Sequence, residues 1–147
     1  MVALLVLSGV VESGRQPVLR IVGLIALLSS PLLFLPPFWA LRKWGDTAVD
    51  QSYMVTQAVV TRGPYRFVRH PQYVGYMLLA AGFALLKQHW AITLLAPLVL
   101  GLFVALAMQE EKVLRARFGQ SYTAYCQRVP RFNVALGLIR WIRLRRH

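Results

Sequence analysis

The chain has 147 residues, of which 57% are hydrophobic and 15% are charged, whereas soluble domains carry roughly a quarter charged residues. This composition excludes an ordinary soluble domain, and it excludes disorder because so much apolar surface does not stay unfolded in water. Basic residues outnumber acidic ones by 17 to 5, for a net charge of +12. The single cysteine, Cys126, excludes an internal disulfide, and the spacing of Cys and His residues predicts no metal site.

Uncharged runs predict membrane helices. Residues 21–41 and 90–108 give runs of 21 and 19 residues, close to the ~20 needed to cross a bilayer. Prolines in the first run predict a kink or an early end in its last third. The shorter run 73–86 lies three residues before the run 90–108, so the two predict a tight antiparallel hairpin. The apolar run 2–11 is interpreted as a further membrane segment rather than a signal peptide.

Small residues predict that the two arms of this hairpin approach closely. They are Gly75, Ala81, Gly82 and Ala84 on the first arm, and Ala96, Gly101 and Ala105 on the second.

The basic residues predict an orientation. Five lie in the connection 42–71 and nine follow residue 108, whereas the turn 87–89 holds one. By the positive-inside rule, the connection and the C-terminal segment face the cytoplasm and the turn faces the other side. The net charge is therefore interpreted as a topology signal with attraction to anionic headgroups, and we expect no nucleic-acid partner. The expected location is the inner or plasma membrane of a prokaryote.

The connection ends in an unusual run, TRGPYRFVRHPQYVGY, at residues 61–76. Gly63 and Pro64 predict a turn, and Pro71 suits the first position of a helix, where a missing N–H costs nothing. His70 would then lie beside the free backbone donors of the helix N-terminus. The alternative interpretation is a basic juxtamembrane loop with aromatic anchors, in which His70 only flanks the helix.

Two of the five acids, Glu110 and Glu111, directly follow the run 90–108. Acids are costly at a membrane boundary and suggest function. On a helix they point about 100° apart, so at most one faces a given pocket. The alternative is a solvated face in which Glu111 pairs with Arg115 at i,i+4 spacing. Gly119 predicts a helix end, after which 121–129 resumes the helix until Pro130.

The two motifs, GPYRFVRHPQYVGY and EEKVLRARFGQSYTAYCQRVPR, together resemble the isoprenylcysteine carboxyl methyltransferase family, which belongs with the phospholipid N-methyltransferases. The resemblance covers residues 21–132. It implies an all-α integral membrane protein, a small multi-span helical bundle with a C-terminal hairpin and a cytoplasmic cofactor pocket. It implies S-adenosylmethionine as cofactor and a lipophilic small-molecule or lipid substrate from the bilayer. The acceptor group stays open between a carboxylate, a thiol and a lipid amine.

The resemblance also implies site residues from both motifs. Those implied for the cofactor are Gly63, Pro64, Tyr65, His70, Pro71, Tyr73, Glu110, Glu111 and Tyr122. Those implied for catalysis are Glu110, Tyr125, Arg128 and Arg131. Physically, a carboxylate suits the cationic amine of the cofactor, and His70 with a helix N-terminus suits its carboxylate.

The expected layout is one domain over 1–147, with membrane segments in 1–41, the cytoplasmic connection 42–72, the hairpin 73–108 and a catalytic segment and tail in 109–147. Residues 136–144 of the tail are amphipathic and cationic and include a tryptophan, a pattern that predicts an interfacial helix rather than a membrane span. The alternative is a frayed terminus. Two other function classes stay open: a nicotinamide-dependent reductase of the related sterol reductase fold, and a non-catalytic membrane subunit.

Overall fold

The computed structural model describes residues 16–44 and 58–145. These residues form four α-helices and a short 3-10 turn, and no strand occurs among them. The helices are α1 (Pro17–Trp44), α2 (Pro71–Lys87), α3 (Trp90–Arg128) and α4 (Val134–Arg145), and the 3-10 turn is Gly63–Arg66. The predicted all-α fold is therefore confirmed, whereas the predicted membrane segment 2–11 lies outside the described residues.

Helix α1 is continuous for 28 residues through Pro31, Pro36 and Pro37. Of the kink and the early end predicted as alternatives from these prolines, the early end is therefore wrong. A proline at position 31 removes the backbone hydrogen bond to the carbonyl of residue 27. The hydroxyl of Ser30 donates to that same Leu27 carbonyl at 2.9 Å, so the freed acceptor is paired again, as is common in apolar helices.

Glycines set the close packing of α1 against α2. A Cβ added at Gly23 would lie 2.8 Å from the carbonyl oxygen of Gly82, and one added at Gly75 would lie 2.8 Å from the backbone nitrogen of Phe34. Gly75 and Gly82 therefore face α1, whereas the sequence predicted that they face the other arm of the hairpin. On α3, a Cβ at Gly101 would meet no atom within 4 Å among the described residues.

The turn between α2 and α3 lies at the far end of the hairpin from the GPYRFVRHPQYVGY motif. Gln88 ends α2 in the left-handed conformation, with φ of 49°. Its side chain exchanges two hydrogen bonds with the backbone of Gln16, at 3.1 and 2.8 Å. The ring of His89 accepts from the Ala91 amide and caps α3. The start of α1 and this turn are thereby held together.

Helix α3 has 39 residues, or about 58 Å at 1.5 Å per residue, about twice the hydrocarbon thickness. Only its first half, the run 90–108, is needed to cross, so Glu110 and Glu111 lie outside the spanning segment. Gly119 has φ of 53° and ψ of −124°, which confirms the predicted break, and the helix resumes directly after it. By length and composition, α1 and α3 can each cross a membrane.

Candidate active site

The two sequence motifs meet through backbone hydrogen bonds at one end of the bundle. The Arg69 amide donates to the carbonyl of Pro130 at 3.0 Å, and the His70 amide donates to that of Arg131 at 3.3 Å. Pro130 and Arg131 follow α3 directly, whereas Arg69 and His70 precede α2. The segment before α2 is therefore attached to the segment after α3, and both lie beside Glu110 and Glu111.

His70 lies at the junction of the two motifs. Pro71 begins α2 as predicted, and His70 is its N-cap residue. The buried ring of His70 places Nε2 3.1 Å from Oε1 of Glu111 and Nδ1 3.6 Å from Oε2 of Glu110. It also stacks on the ring of Tyr73, with centroids 5.5 Å apart. His70 therefore contacts both acids at once.

Glu111 is the buried acid, with 1% of its side chain exposed. Arg131 binds both of its oxygens at 2.8 Å, Arg69 Nη1 lies 2.9 Å from Oε1, and Arg115 Nη2 lies 3.3 Å from Oε2. Burial opposes ionisation, but the Arg131 hydrogen bonds, the Arg69 charge and the His70 contact lower the pKa of Glu111 to about 2. This carboxylate is ionised and saturated with partners.

Glu110 differs from its neighbour because 46% of its side chain is exposed and it lines a cavity. Burial opposes ionisation here as well, but the hydrogen bond and charge of His70 and a hydrogen bond from Tyr73 hold the pKa of Glu110 below its ordinary value. Glu110 is therefore an ionised carboxylate that a ligand can reach.

The cavity beside Glu110 joins polar groups of both motifs with apolar groups of α1 and α3. Its lining comprises Leu41, Ala58, Val59, Val60, Tyr65, Arg69, His70, Gln72, Glu110, Leu114, Phe118, Tyr122 and Tyr125. Two of these residues carry buried nitrogens that find no hydrogen-bond partner in the described part of the chain: Nε2 of Gln72 and Nε of Arg69. Buried polar groups are normally paired, so these N–H groups are available to a ligand.

Tyr122 and Tyr125, on the second half of α3, form a buried cluster with Val129, which directly follows that helix. The hydroxyl of Tyr125 donates to the carbonyl of Tyr65 at 2.7 Å and so holds the 3-10 turn. Burial raises the pKa of both Tyr122 and Tyr125. Both hydroxyls therefore stay protonated at neutral pH, and the Tyr125 hydroxyl can donate its hydrogen to the Tyr65 carbonyl.

The structure brings together most of the residues predicted for the site. Five of them line the cavity: Tyr65, His70, Glu110, Tyr122 and Tyr125. Six lie around it: Gly63 and Pro64 in the 3-10 turn, Pro71 and Tyr73 in the first turn of α2, and Glu111 and Arg131 in their ion pair. Arg128 is exposed and donates to the Ala124 carbonyl of its own helix, away from the cavity lining.

Sequence reasoning missed Arg69 and Gln72 as site residues. Both stand within the quoted motif, on either side of His70 and Pro71. From the sequence, Arg69 is predicted only to be one of the basic residues that indicate topology. The available signal was the position of a charged and an amide side chain around a predicted helix start, where ligand-binding donors often gather.

These features define a small helical membrane protein with a polar, cation-rich site at one end of an apolar bundle. A family model described as phospholipid methyltransferase matches residues 18–121, which is more than half of the chain. The chain belongs to this family.

Curated relatives match a shorter region. The protein-S-isoprenylcysteine O-methyltransferase of Schizosaccharomyces pombe is 42% identical over 73 residues, which are 49% of this chain and 31% of the relative. Protein-S-isoprenylcysteine O-methyltransferase B of Arabidopsis thaliana is 34% identical over 49% of this chain and 37% of its own length. A probable protein-S-isoprenylcysteine O-methyltransferase of Oryza sativa subsp. indica is 36% identical over 48% of this chain and 38% of its own length. The matches thus span about a third of these relatives. No solved structure matches this chain.

Proposed function

We propose that this protein transfers a methyl group from S-adenosylmethionine to a lipophilic or membrane-associated acceptor. The observation behind this proposal is the cavity in which the accessible Glu110 carboxylate stands with the unpaired N–H groups of Gln72 and Arg69. Membership of the phospholipid methyltransferase family supports methyl transfer. The names of the relatives make a carboxylate acceptor one candidate; a thiol and a lipid amine are the others.

The donor set of the cavity fits the cofactor. The Glu110 carboxylate matches the cationic amine of the methionyl group, and the free N–H groups of Gln72 and Arg69 match its carboxylate, as charge-assisted pairs. The rings of Tyr65 and Tyr122 provide surfaces for an adenine ring or a cationic sulfur. When bound, S-adenosylmethionine supplies an activated methyl group.

The chain supplies position and enclosure for this reaction. Glu111 holds Arg69 and Arg131, which fixes the two segments that enclose the cavity. Rigid placement of the reactants gives much of the rate of a displacement reaction. Exclusion of water favours transfer from a cation to an anionic acceptor, because the opposite charges disappear together. Arg131, partly exposed, and Arg128, exposed, are the cations proposed for the acceptor side.

A row of aromatic rings supports a lipophilic acceptor. The ring of Tyr73, which stacks on His70, has its centroid 5.8 Å from that of Phe103. The Phe103 centroid lies 5.6 Å from that of Tyr76. Tyr76 in turn stacks on Phe34 of α1 at 5.4 Å. This row leads from the site into the apolar bundle, where an acyl or isoprenoid chain finds apolar contacts.

The proposed location is an integral-membrane one with the site facing the cytoplasm. Basic residues are concentrated in the segments before and after the hairpin, and the positive-inside rule places both segments on the cytoplasmic side. A prokaryotic plasma membrane is the expected setting from the sequence alone, whereas the three relatives are eukaryotic.

Binding of radiolabelled S-adenosylmethionine to the purified protein in detergent tests the proposal. We expect Glu110→Ala and His70→Ala each to weaken binding by roughly 10- to 150-fold, since one lost charge-assisted contact is worth about 1.5–3 kcal/mol. Gln109→Ala, an exposed neighbour on the same helix, is the matched control and should bind normally.

Unchanged affinity in both variants would contradict the proposed pocket. Binding of NADPH in place of S-adenosylmethionine would favour the reductase, and binding of neither would favour a non-catalytic subunit. A screen of lipid, thiol and carboxylate acceptors with mass detection then identifies the acceptor group.

A further inference from the structure

Helix α4 presents an exposed amphipathic surface, linked to the rest of the described chain by a hydrogen bond from Arg140 to the Gln127 carbonyl at 3.5 Å. Leu138, Ile139 and Ile142 are exposed and fall within about 100° around the helix axis. Arg140 and Arg143, also exposed, occupy the adjoining sector. An apolar stripe beside a cationic one is the pattern of a helix that lies in a membrane interface.

Another face of α4 is attached to the frame of the site. A Cβ at Gly137 would collide with the backbone carbonyl of Phe67, so the two backbones are in direct contact. The ring of Trp141 meets Phe67 edge-on at 5.4 Å, and the Arg66 guanidinium lies 5.7 Å from the Trp141 centroid. Phe67 directly follows the 3-10 turn that contains Tyr65, a residue of the cavity.

We infer that this exposed face of α4 (Leu138, Ile139, Arg140, Ile142 and Arg143) is a binding surface for an anionic membrane leaflet. The three apolar side chains insert at the boundary between headgroups and acyl chains, and the two arginines bind lipid phosphates. Each basic residue near an anionic surface adds about fivefold to the binding constant.

The bilayer is the occupant that the surroundings favour. Helix α4 contacts Phe67, four residues before α2 begins, and the run 90–108 ends beside the same site. The apolar sides of α1 and α3 are exposed, so a bilayer that surrounds them would reach this end of the bundle. A nucleic acid would match the arginines but would leave Leu138, Ile139 and Ile142 in water.

Through Phe67, leaflet binding by α4 would also hold the 3-10 turn and Tyr65 in place. This consequence rests on the proposed function: anionic lipid should raise the affinity for S-adenosylmethionine. The surface itself does not depend on that activity, and it can be tested without the cofactor.

The test uses the full chain with Cys126→Ser and Ile142→Cys, labelled with an environment-sensitive fluorophore and reconstituted into vesicles. Vesicles of phosphatidylcholine alone are compared with mixtures containing phosphatidylglycerol, and quenching by doxyl-labelled lipids reports insertion. We expect the inserted-to-exposed ratio of the label to be higher in anionic vesicles and to fall with added salt. A label at Thr123→Cys, exposed on α3, is the control and should stay in water.

Charge-removal variants make the test specific. Arg143→Gln should lower the inserted-to-exposed ratio in anionic vesicles about fivefold, and Arg140→Gln with Arg143→Gln about 25-fold. Arg117→Gln, an exposed arginine on α3, should leave it unchanged. A label at position 142 that stays in water in both vesicle types, or an equal effect of Arg117→Gln, would overturn the surface. If either result occurs while the protein still binds S-adenosylmethionine, the membrane surface is wrong and the proposed function stands. If the label inserts in a lipid-dependent way but the protein does not bind S-adenosylmethionine, the surface is supported and the proposed function is not.

Discussion

At the residue scale, one carboxylate connects three segments of the chain. Burying an ion costs several kcal/mol, and only close opposite charges and hydrogen bonds offset that cost. Glu111 meets this condition through Arg69 before α2, Arg131 after α3 and the ring of His70. Because its oxygens are already engaged, Glu111 acts as a positioning residue, and Glu110 is the acid left to meet a ligand.

Replacing Glu111 by Gln should destabilise the fold by about 3 kcal/mol at pH 7, because Arg69 and the partly exposed Arg131 lose their buried counter-charge. The loss should shrink on acidification. The pKa of Glu111 is lowered from 4.5 to about 2, so its contribution is full above pH 4.5 and disappears as the pH falls toward 2. Thermal unfolding of both proteins in detergent across this pH range measures the difference.

Arg115→Ala is the matched control for this prediction. Arg115 binds the same carboxylate, but half of its side chain is exposed, and such pairs are worth at most about 1 kcal/mol. A Glu111→Gln protein as stable as the Arg115→Ala protein at pH 7 would show that the cluster does not hold these segments together.

At the scale of the helices, the sequence predicted where elements begin and end better than which faces they bury. The start of α2 at Pro71, the turn at 87–89 and the break at Gly119 each follow from local backbone chemistry. The direction in which Gly75 and Gly82 face depends on the rotation of α2 against α1, which no local rule sets. The choice between Glu110 and Glu111 depends in the same way on the rotation of α3, since neighbouring residues on a helix differ by only about 100°.

Glycine-to-alanine changes should have opposite effects on stability at a packed glycine of α1 and at an exposed glycine of α3. Gly23→Ala should destabilise the protein by about 1–2 kcal/mol, because its Cβ would lie 2.8 Å from backbone atoms of α2 and overpacking outweighs the gain in helix propensity. Gly101→Ala, whose Cβ would meet no atom within 4 Å in the described residues, should be neutral or more stable by up to about 1 kcal/mol. Thermal melts followed by circular dichroism measure both, and a destabilised Gly101→Ala would place an unseen partner on α3.

At the scale of the whole molecule, charge and apolar surface are separated along the bundle axis. The polar site, with Arg69, Glu111 and Arg131, lies at one end, and the turn 87–89 lies at the other. Helix α2 has 17 residues, or about 25 Å, and packs on α1 over this length. The separation between the two ends is therefore close to the thickness of a hydrocarbon core of ~30 Å.

This separation predicts that Lys87 and Lys112 lie on opposite sides of the membrane. Single-cysteine proteins, Lys87→Cys and Lys112→Cys in a Cys126→Ser background, are exposed to a membrane-impermeant maleimide in oriented vesicles. The position 112 thiol should react only from the side that bears the basic connection, and the position 87 thiol only from the other side. Gln16→Cys is the matched control, because Gln16 is hydrogen-bonded to the turn at Gln88 and should label together with position 87. Reaction of positions 87 and 112 from the same side would mean that the hairpin does not cross. The apolar surfaces of α1 and α3 would then need another partner than the bilayer.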